Sequence, residues 1–221
     1  MSNVIKASWN KNAKEWIKAI QNNAIPSRKF TNPAIIKAIK ELQGNTIVDI
    51  GCGEGWLTRE MNNLGWSATG LDATKALILA AQEQSNQNFE VFTFEEIIAG
   101  KHMPNGPFDA AVFNFCLYGK DDLTPLITKT LGQLTTEGTI LIQTLHPFFL
   151  VQNGLAYKGQ WVADSWKGLP GNFMDGHSWY ARTMEEWVEE LNKIQQAKFQ
   201  IKEVLNNEDR PISLLIKINK I

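Results

Sequence analysis

The residues best placed to do chemistry stand in VDIGCGEGWL, Val48 to Leu57. Three glycines, Gly51, Gly53 and Gly55, alternate with other residues directly after a short β-rich run that ends in an acid, Asp49, and an apolar residue. A glycine-rich turn between a strand and a helix lets a ligand approach the backbone without a Cβ in the way, and its commonest user is a nucleotide-like cofactor. The G-x-G-x-G spacing differs from the G-x-G-x-x-G of dinucleotide sites: Trp56 stands where the third glycine would be. No Gly-Lys-Ser/Thr follows, so a P-loop is excluded. A second acid, Asp72, lies 21 residues past Gly51 at the end of the next strand-like run. A carboxylate there can accept two hydrogen bonds from an unphosphorylated ribose diol. Together these residues read as a site for an adenosine cofactor without a pyrophosphate, which suits S-adenosylmethionine.

The elements around these residues follow from periodicity. Trp9, Ala13, Trp16, Ile17 and Ile20 keep helical spacing, and a second helix is predicted from near Asn32, with Pro33 in its first turn, to Gly44. TIVDI, SATGLD, NFEVF, FDAAVFNF and TILIQTL then read as five strands, with helices between them carrying Leu57, Met61 and Leu64, then TKALILAAQEQ, then Leu123, Leu126, Ile127 and Leu134. This alternation predicts an α/β fold, a doubly wound Rossmann-like sheet of seven strands, mostly parallel. FQIKEV and PISLLIKINKI, joined by NNEDR, close it as a C-terminal antiparallel hairpin. Thr183 and Glu186 form a capping box for the helix before that hairpin. Residues 146–182 break the rhythm. They are glycine- and aromatic-rich, well beyond the usual loop length of about 12–15 residues, which marks a functional segment. The expected organisation is one domain over 1–221, with an N-terminal helical lid over 1–30 and a substrate lid over 146–182.

VDIGCGEGW, the LD of the second strand, FDAAVFNFCL and TEGTILIQTLHP resemble the class I S-adenosylmethionine-dependent methyltransferases, in the right order, over roughly Asn32 to Ile221. The resemblance implies that Asp49 anchors the glycine loop or a water near the cofactor's amino group. It implies that Gly51 and Gly53, with Cys52 between them, underlie the methionine portion, and that Asp72, followed by Ala73, holds the ribose. The acid that often contacts adenine after the third strand is replaced: Phe94 stands there, with Glu95 next. Asn114 and Phe115 end strand four beside the reacting methyl group, and Arg28 is placed to meet the cofactor's carboxylate.

Plainer alternatives stand beside these. The glycines suit any tight turn, Asp72 can cap the following helix, Phe94 can fill core, and Asn114 can cap a strand end. His146, in TLHP after strand five, sits where such sheets bind ligands and is a candidate proton acceptor, or else a turn residue. Tyr118 and His177 are further candidates. The aromatic residues of the irregular segment suit an apolar pocket for a small-molecule methyl acceptor.

Composition narrows the partners. With 43% hydrophobic residues, 20% charged residues and a formal net charge of −1, no bulk field favours nucleic acid or an anionic membrane. No apolar run approaches the roughly 20 residues of a membrane span. The start of the chain lacks a signal pattern, and Cys52 and Cys116, away from any metal-ligand spacing, read as free thiols in the cytoplasm. The fourth strand's NFCL lacks the N-P-P-aromatic tetrad of base-methylating members. The expected function is therefore methyl transfer to an O or N atom of a small molecule. A non-catalytic cofactor-binding subunit and a nicotinamide-dependent oxidoreductase are the alternatives.

Overall fold

The structure, a computed structural model, describes residues 3–221; the first two positions of the expected N-terminal lid lie outside the described residues. A seven-stranded sheet organises the chain. Its strands are β1 (Thr46–Ile50), β2 (Ser67–Asp72), β3 (Asn88–Val91), β4 (Phe108–Asn114), β5 (Leu134–Leu145), β8 (Ala197–Leu205) and β9 (Pro211–Lys220), and β6 (Gln160–Val162) pairs with β7 (Trp179–Ala181) in a separate ribbon. The order is β3-β2-β1-β4-β5-β9-β8. The first five strands run parallel, while β9 is antiparallel to both β5 and β8. Strand order reverses between β1 and β4, which opens a crevice at their carboxyl ends.

Period-two alternation explains why the central strands read as continuous apolar runs. Val48 and Ile50 of β1, Ala111 and Phe113 of β4, and Ile140 and Ile142 of β5 pack into one core layer. Ile47, Ala110, Val112 and Leu141 face the other layer. Both faces are covered by helices, so both side-chain sets must be apolar. Asp49 shares the face of Ile47, which makes a carboxylate a conspicuous guest there.

The helices are α1 (Asn3–Gln21), α2 (Arg28–Lys40), α3 (Trp56–Asn63), α4 (Lys75–Gln84), α5 (Phe94–Ile98), α6 (Leu123–Gly132), α7 (Phe148–Gln152) and α8 (Met184–Asn192). Helix α2 starts four residues before the predicted Asn32 and places Pro33 inside rather than in its first turn. The reason is a run of turn hydrogen bonds that closes earlier: Ile25 O accepts from Arg28 N, and Ser27 O from Phe30 N and Thr31 N. The short α5 is absent from the sequence expectation. It is fixed by a capping box in which Thr93 Oγ1 accepts from Glu96 N and Glu96 Oε2 from Thr93 N. The predicted box at Thr183 and Glu186 forms and starts α8.

The irregular segment after β5 lies against α1. Ser8 Oγ donates to Asp175 O (2.7 Å), and Asn12 bonds both the N–H (2.8 Å) and the carbonyl (2.7 Å) of Met174. Trp166 Nε1 donates to Ser8 Oγ (2.9 Å), Asn172 N donates to Glu15 (3.0 Å), and Lys11 pairs with Asp175. Asn12 and Ser8 are buried, so these bonds are shielded from water.

Candidate active site

The glycine turn is built by close approach. Gly51 N and Cys52 N both donate to Leu71 O, tying the end of β1 to β2. Gly51 has φ +79°, and a Cβ there would lie 2.6 Å from the Cβ of Cys116, so neither its backbone nor its space admits a side chain. Gly53 has φ +60° and differs in its surroundings: a Cβ would meet only Trp16 Nε1, at 3.6 Å. Its bare side therefore opens onto the cavity. Gly53 N donates to Asp72 Oδ2 (3.0 Å) and Thr74 N to Asp72 Oδ1 (2.7 Å). Asp72 thus braces the turn and the start of α4 together, although Thr74 is the residue at the helix cap. Each of its oxygens retains a lone pair for a further donor.

Beside this turn lies a cavity of about 250 Å³. Three carboxylates line its glycine end, Asp49, Glu54 and Asp72. Burial raises the Asp49 carboxyl to about 7, and the Glu54 and Asp72 charges push the same way, against the hydrogen bond from Thr58 Oγ1 (2.9 Å). Burial also raises Asp72 and Glu54, with Arg28 and Arg59 opposing it at Glu54. Glu54 is 1% exposed; Arg59 Nη2 stands 3.7 Å from its Oε1, and the Trp16 side chain also favours its ionised form. The Arg28 guanidinium covers the Trp56 ring at 4.5 Å. A bare glycine backbone, acids with capacity to accept, and a buried carboxylate paired with Arg59 fit a ligand carrying hydroxyls and positive charge.

The other end is aromatic. Trp9, Tyr118, Trp166 and His177 line it, with Trp9 edge-on to Trp166 at 4.6 Å and to Trp16, which reaches back to Gly53, at 5.2 Å. Tyr118 Oη donates to Phe115 O (2.8 Å), and burial raises its phenol well above the ordinary range, so it stays neutral with its proton committed. Phe115 holds φ +54°, a conformation uncommon for a residue with a side chain. Asn114 Oδ1, Trp9 Nε1 and His177 Nε2 are buried without hydrogen-bond partners among the described residues.

Of the residues singled out in the sequence, Arg28, Asp49, Gly51, Cys52, Gly53, Asp72, Asn114, Phe115, Tyr118 and His177 meet around this cavity. Ala73, Phe94, Glu95 and His146 do not line it. Phe94 packs edge-on against Phe113 within the core, the plainer of its two alternatives. Glu95 lies exposed on α5, and Ala73 is buried beside the start of α4. His146, expected as a proton acceptor or a turn residue, lies outside this cavity. Its Nδ1 accepts from Phe148 N (2.9 Å) and its Nε2 meets Glu203 Oε1 (2.9 Å), so both nitrogens are engaged and the ring faces β8. Residues overlooked in the sequence include Glu54, Trp56, Thr74 and Ser165. Glu54 and Trp56 were visible as the spacer and flank of the glycine turn; Ser165 had no local signal.

A parallel sheet with this order, a glycine turn at its switch point and an acid at the end of the neighbouring strand define a doubly wound nucleotide-cofactor domain. The chain belongs to the methyltransferase domain family, which matches residues 13–192. It is similar to an uncharacterised methyltransferase of Mycobacterium tuberculosis strain H37Rv, 28% identical over 130 residues, 59% of this chain and 65% of that protein. It is also similar to the ubiquinone biosynthesis O-methyltransferase of Rhodopseudomonas palustris strain TIE-1, 24% identical over 139 residues, 61% of this chain and 54% of that protein. The matches thus span less than two thirds of these relatives' length. The fold is shared with the 1,6-didemethyltoxoflavin-N1-methyltransferase of Burkholderia thailandensis, solved with bound 1,6-didemethyltoxoflavin and S-adenosylhomocysteine. That likeness has a TM-score of 0.68 at 16% identity, over 98% of this chain and 87% of the other. A Mesorhizobium loti S-adenosylmethionine-dependent methyltransferase gives 0.65 at 20% identity, over 85% and 96%.

Proposed function

We propose that the protein transfers a methyl group from S-adenosylmethionine to a small molecule. One observation carries this reading: a bare glycine turn braced by Asp72 adjoins three buried acids, in a cavity whose far end is aromatic. When bound, the cofactor supplies a methyl carbon already activated by a sulfonium. The protein's work is then to hold, align and keep dry. Gly51, Cys52 and Gly53 offer backbone to the methionine portion, Asp72 accepts from the ribose hydroxyls, and Asp49 and Glu54 favour the cationic groups. Arg28 answers the carboxylate, and Asn114 and Phe115 border the methyl position. The two lids, 1–30 and 146–182, cover the acceptor. The site is a lined cavity rather than a plugged one, which supports catalysis over a purely binding subunit. The near-zero net charge and the aromatic part of the cavity lining support a small molecule over nucleic acid. Both cysteines are free and buried, which supports a reducing, cytoplasmic setting.

Calorimetric titration with S-adenosylhomocysteine tests this. Binding to the native protein is expected, with NAD inert, and Asp72→Ala is expected to weaken it by about 1–3 kcal/mol, roughly five- to 150-fold. Binding of NAD in place of S-adenosylhomocysteine would return the nicotinamide reading, and an unchanged affinity in the variant would leave Asp72 a brace for the turn alone.

A further inference from the structure

His177 combines four properties that no other residue of the aromatic end shares. Its side chain lines the cavity, it is only 1% exposed, and its Nε2 has no hydrogen-bond partner. Its other nitrogen, Nδ1, meets Ser165 Oγ at 2.9 Å. The ring is clamped edge-on by Tyr118 at 4.9 Å and by Trp166 at 5.8 Å, and the backbone is pinned where Ser165 N donates to His177 O (2.8 Å). Burying an imidazole nitrogen without a partner is costly, so a ring held this firmly with one nitrogen bare is a site waiting for a hydrogen-bonding group. The candidates around it are already engaged or chemically unsuited. Tyr118 donates its hydroxyl hydrogen to Phe115 O, Asn114 Oδ1 is a weak base, and Asp49, Asp72 and Glu54 are engaged by Thr58, by the Gly53 and Thr74 backbone and by Arg59.

Resting on the methyl-transfer reading, we infer that His177 Nε2 accepts the hydroxyl proton of a flat, phenol-type acceptor stacked among Trp9, Tyr118 and Trp166, with Ser165 Oγ as the positioning residue that holds the ring. The step balances. An oxygen lone pair of the acceptor forms the bond to the methyl carbon, and the carbon–sulfur pair departs with sulfur, which becomes a neutral thioether. The O–H pair stays on oxygen, and the proton moves to Nε2. One positive charge enters the site on sulfur and one leaves on the imidazolium, so the buried acids face an unchanged total. Burial lowers this histidine to about 4, which keeps the lone pair available at neutral pH. A weak base suffices because the oxygen loses its proton while becoming an aryl ether oxonium, a far stronger acid than any imidazolium. The ring must be the Nδ1–H tautomer, donating to Ser165 Oγ, for Nε2 to be the acceptor.

The chain has three histidines, so nitrogen NMR on histidine-labelled protein resolves each ring, with His177→Gln giving the assignment. At neutral pH His177 is expected to be uncharged with Nε2 unprotonated, and Ser165→Ala is expected to convert it to a tautomer mixture. Phenol added to the protein loaded with S-adenosylhomocysteine is expected to shift the Nε2 resonance, while anisole, which lacks the proton, leaves it in place. A protonated ring, an Nε2–H tautomer or no response to phenol would overturn the assignment. S-adenosylhomocysteine affinity in His177→Gln is expected within twofold of native. Failure of the native protein to bind that compound would sink the methyl-transfer reading instead, so the two failures are distinguishable.

Discussion

Asp49 and His177 line one cavity, and burial moves both toward the neutral form, raising the acid to about 7 and lowering the base to about 4. Their effects on stability therefore oppose each other. Between about pH 4 and 7 the unfolded chain releases the Asp49 proton while the native state keeps it, so this residue costs stability as pH rises. Between about 6.5 and 4 the unfolded chain gains the His177 proton while the native state does not, so that residue costs stability as pH falls. Asp49→Asn keeps an oxygen for Thr58 and removes the first effect. Its unfolding free energy is expected to gain on the native protein as pH rises from 5 to 7, at a slope of at most about 1.4 kcal/mol per pH unit. Urea unfolding along the pH series measures this; parallel curves would mean that Asp49 is ionised when buried. Asp49 and Asp72 were legible in the sequence because their spacing from the glycines is local. The histidines were not, because His146 and His177 differ in what surrounds them: one is tied to Phe148 and Glu203, the other bare at Nε2.

The cover over the cavity is a joint between α1 and the segment after β5. Asn12 carries much of it, bonding Met174 through both its N–H and its carbonyl and returning a bond to Ser8 O (2.8 Å). Asn12→Ala strands these buried groups, at about 1–3 kcal/mol each where water cannot replace the bond. Amide exchange and proteolytic cutting are expected to rise across residues 164–178 while β1, β4 and β5 stay protected. Loosening of the sheet as well would show that the cover and the core open together. Strong periodicity made α1 and α8 readable, and the Thr183 capping box marked where order resumes. The joint itself was not readable, since it pairs side chains of α1 with backbone groups 162 residues further along, as for Asn12 and Met174. Helix α5 was overlooked although Thr93 and Glu96 spell a capping box, because five residues carry no measurable period. Helix α2 begins before the start that Pro33 signals, because the turn at Ile25–Ser27 already begins the helix.

Strand and helix alternation was enough to expect a mostly parallel sheet ending in an antiparallel hairpin, because strands buried on both faces differ so visibly from amphipathic helices. The order of strands was beyond local pattern: nothing in FDAAVFNF says that β4 lies beside β1 rather than beside β3. Yet that neighbour choice makes the site, since it brings Asn114 to Tyr118 alongside Gly51 and Gly53 at the reversal of strand order. The cavity is thus a property of the whole molecule, with its floor from β1, β2 and β4 and its roof from α1 and the segment around Trp166. The most direct test of the account is a crystal structure with S-adenosylhomocysteine diffused in. The account predicts its homocysteine backbone against Gly51–Gly53, its ribose hydroxyls on Asp72 and its sulfur directed at the aromatic end near Asn114. Electron density for the compound outside this crevice, or with Asp72 still engaged only by Gly53 and Thr74, would contradict it.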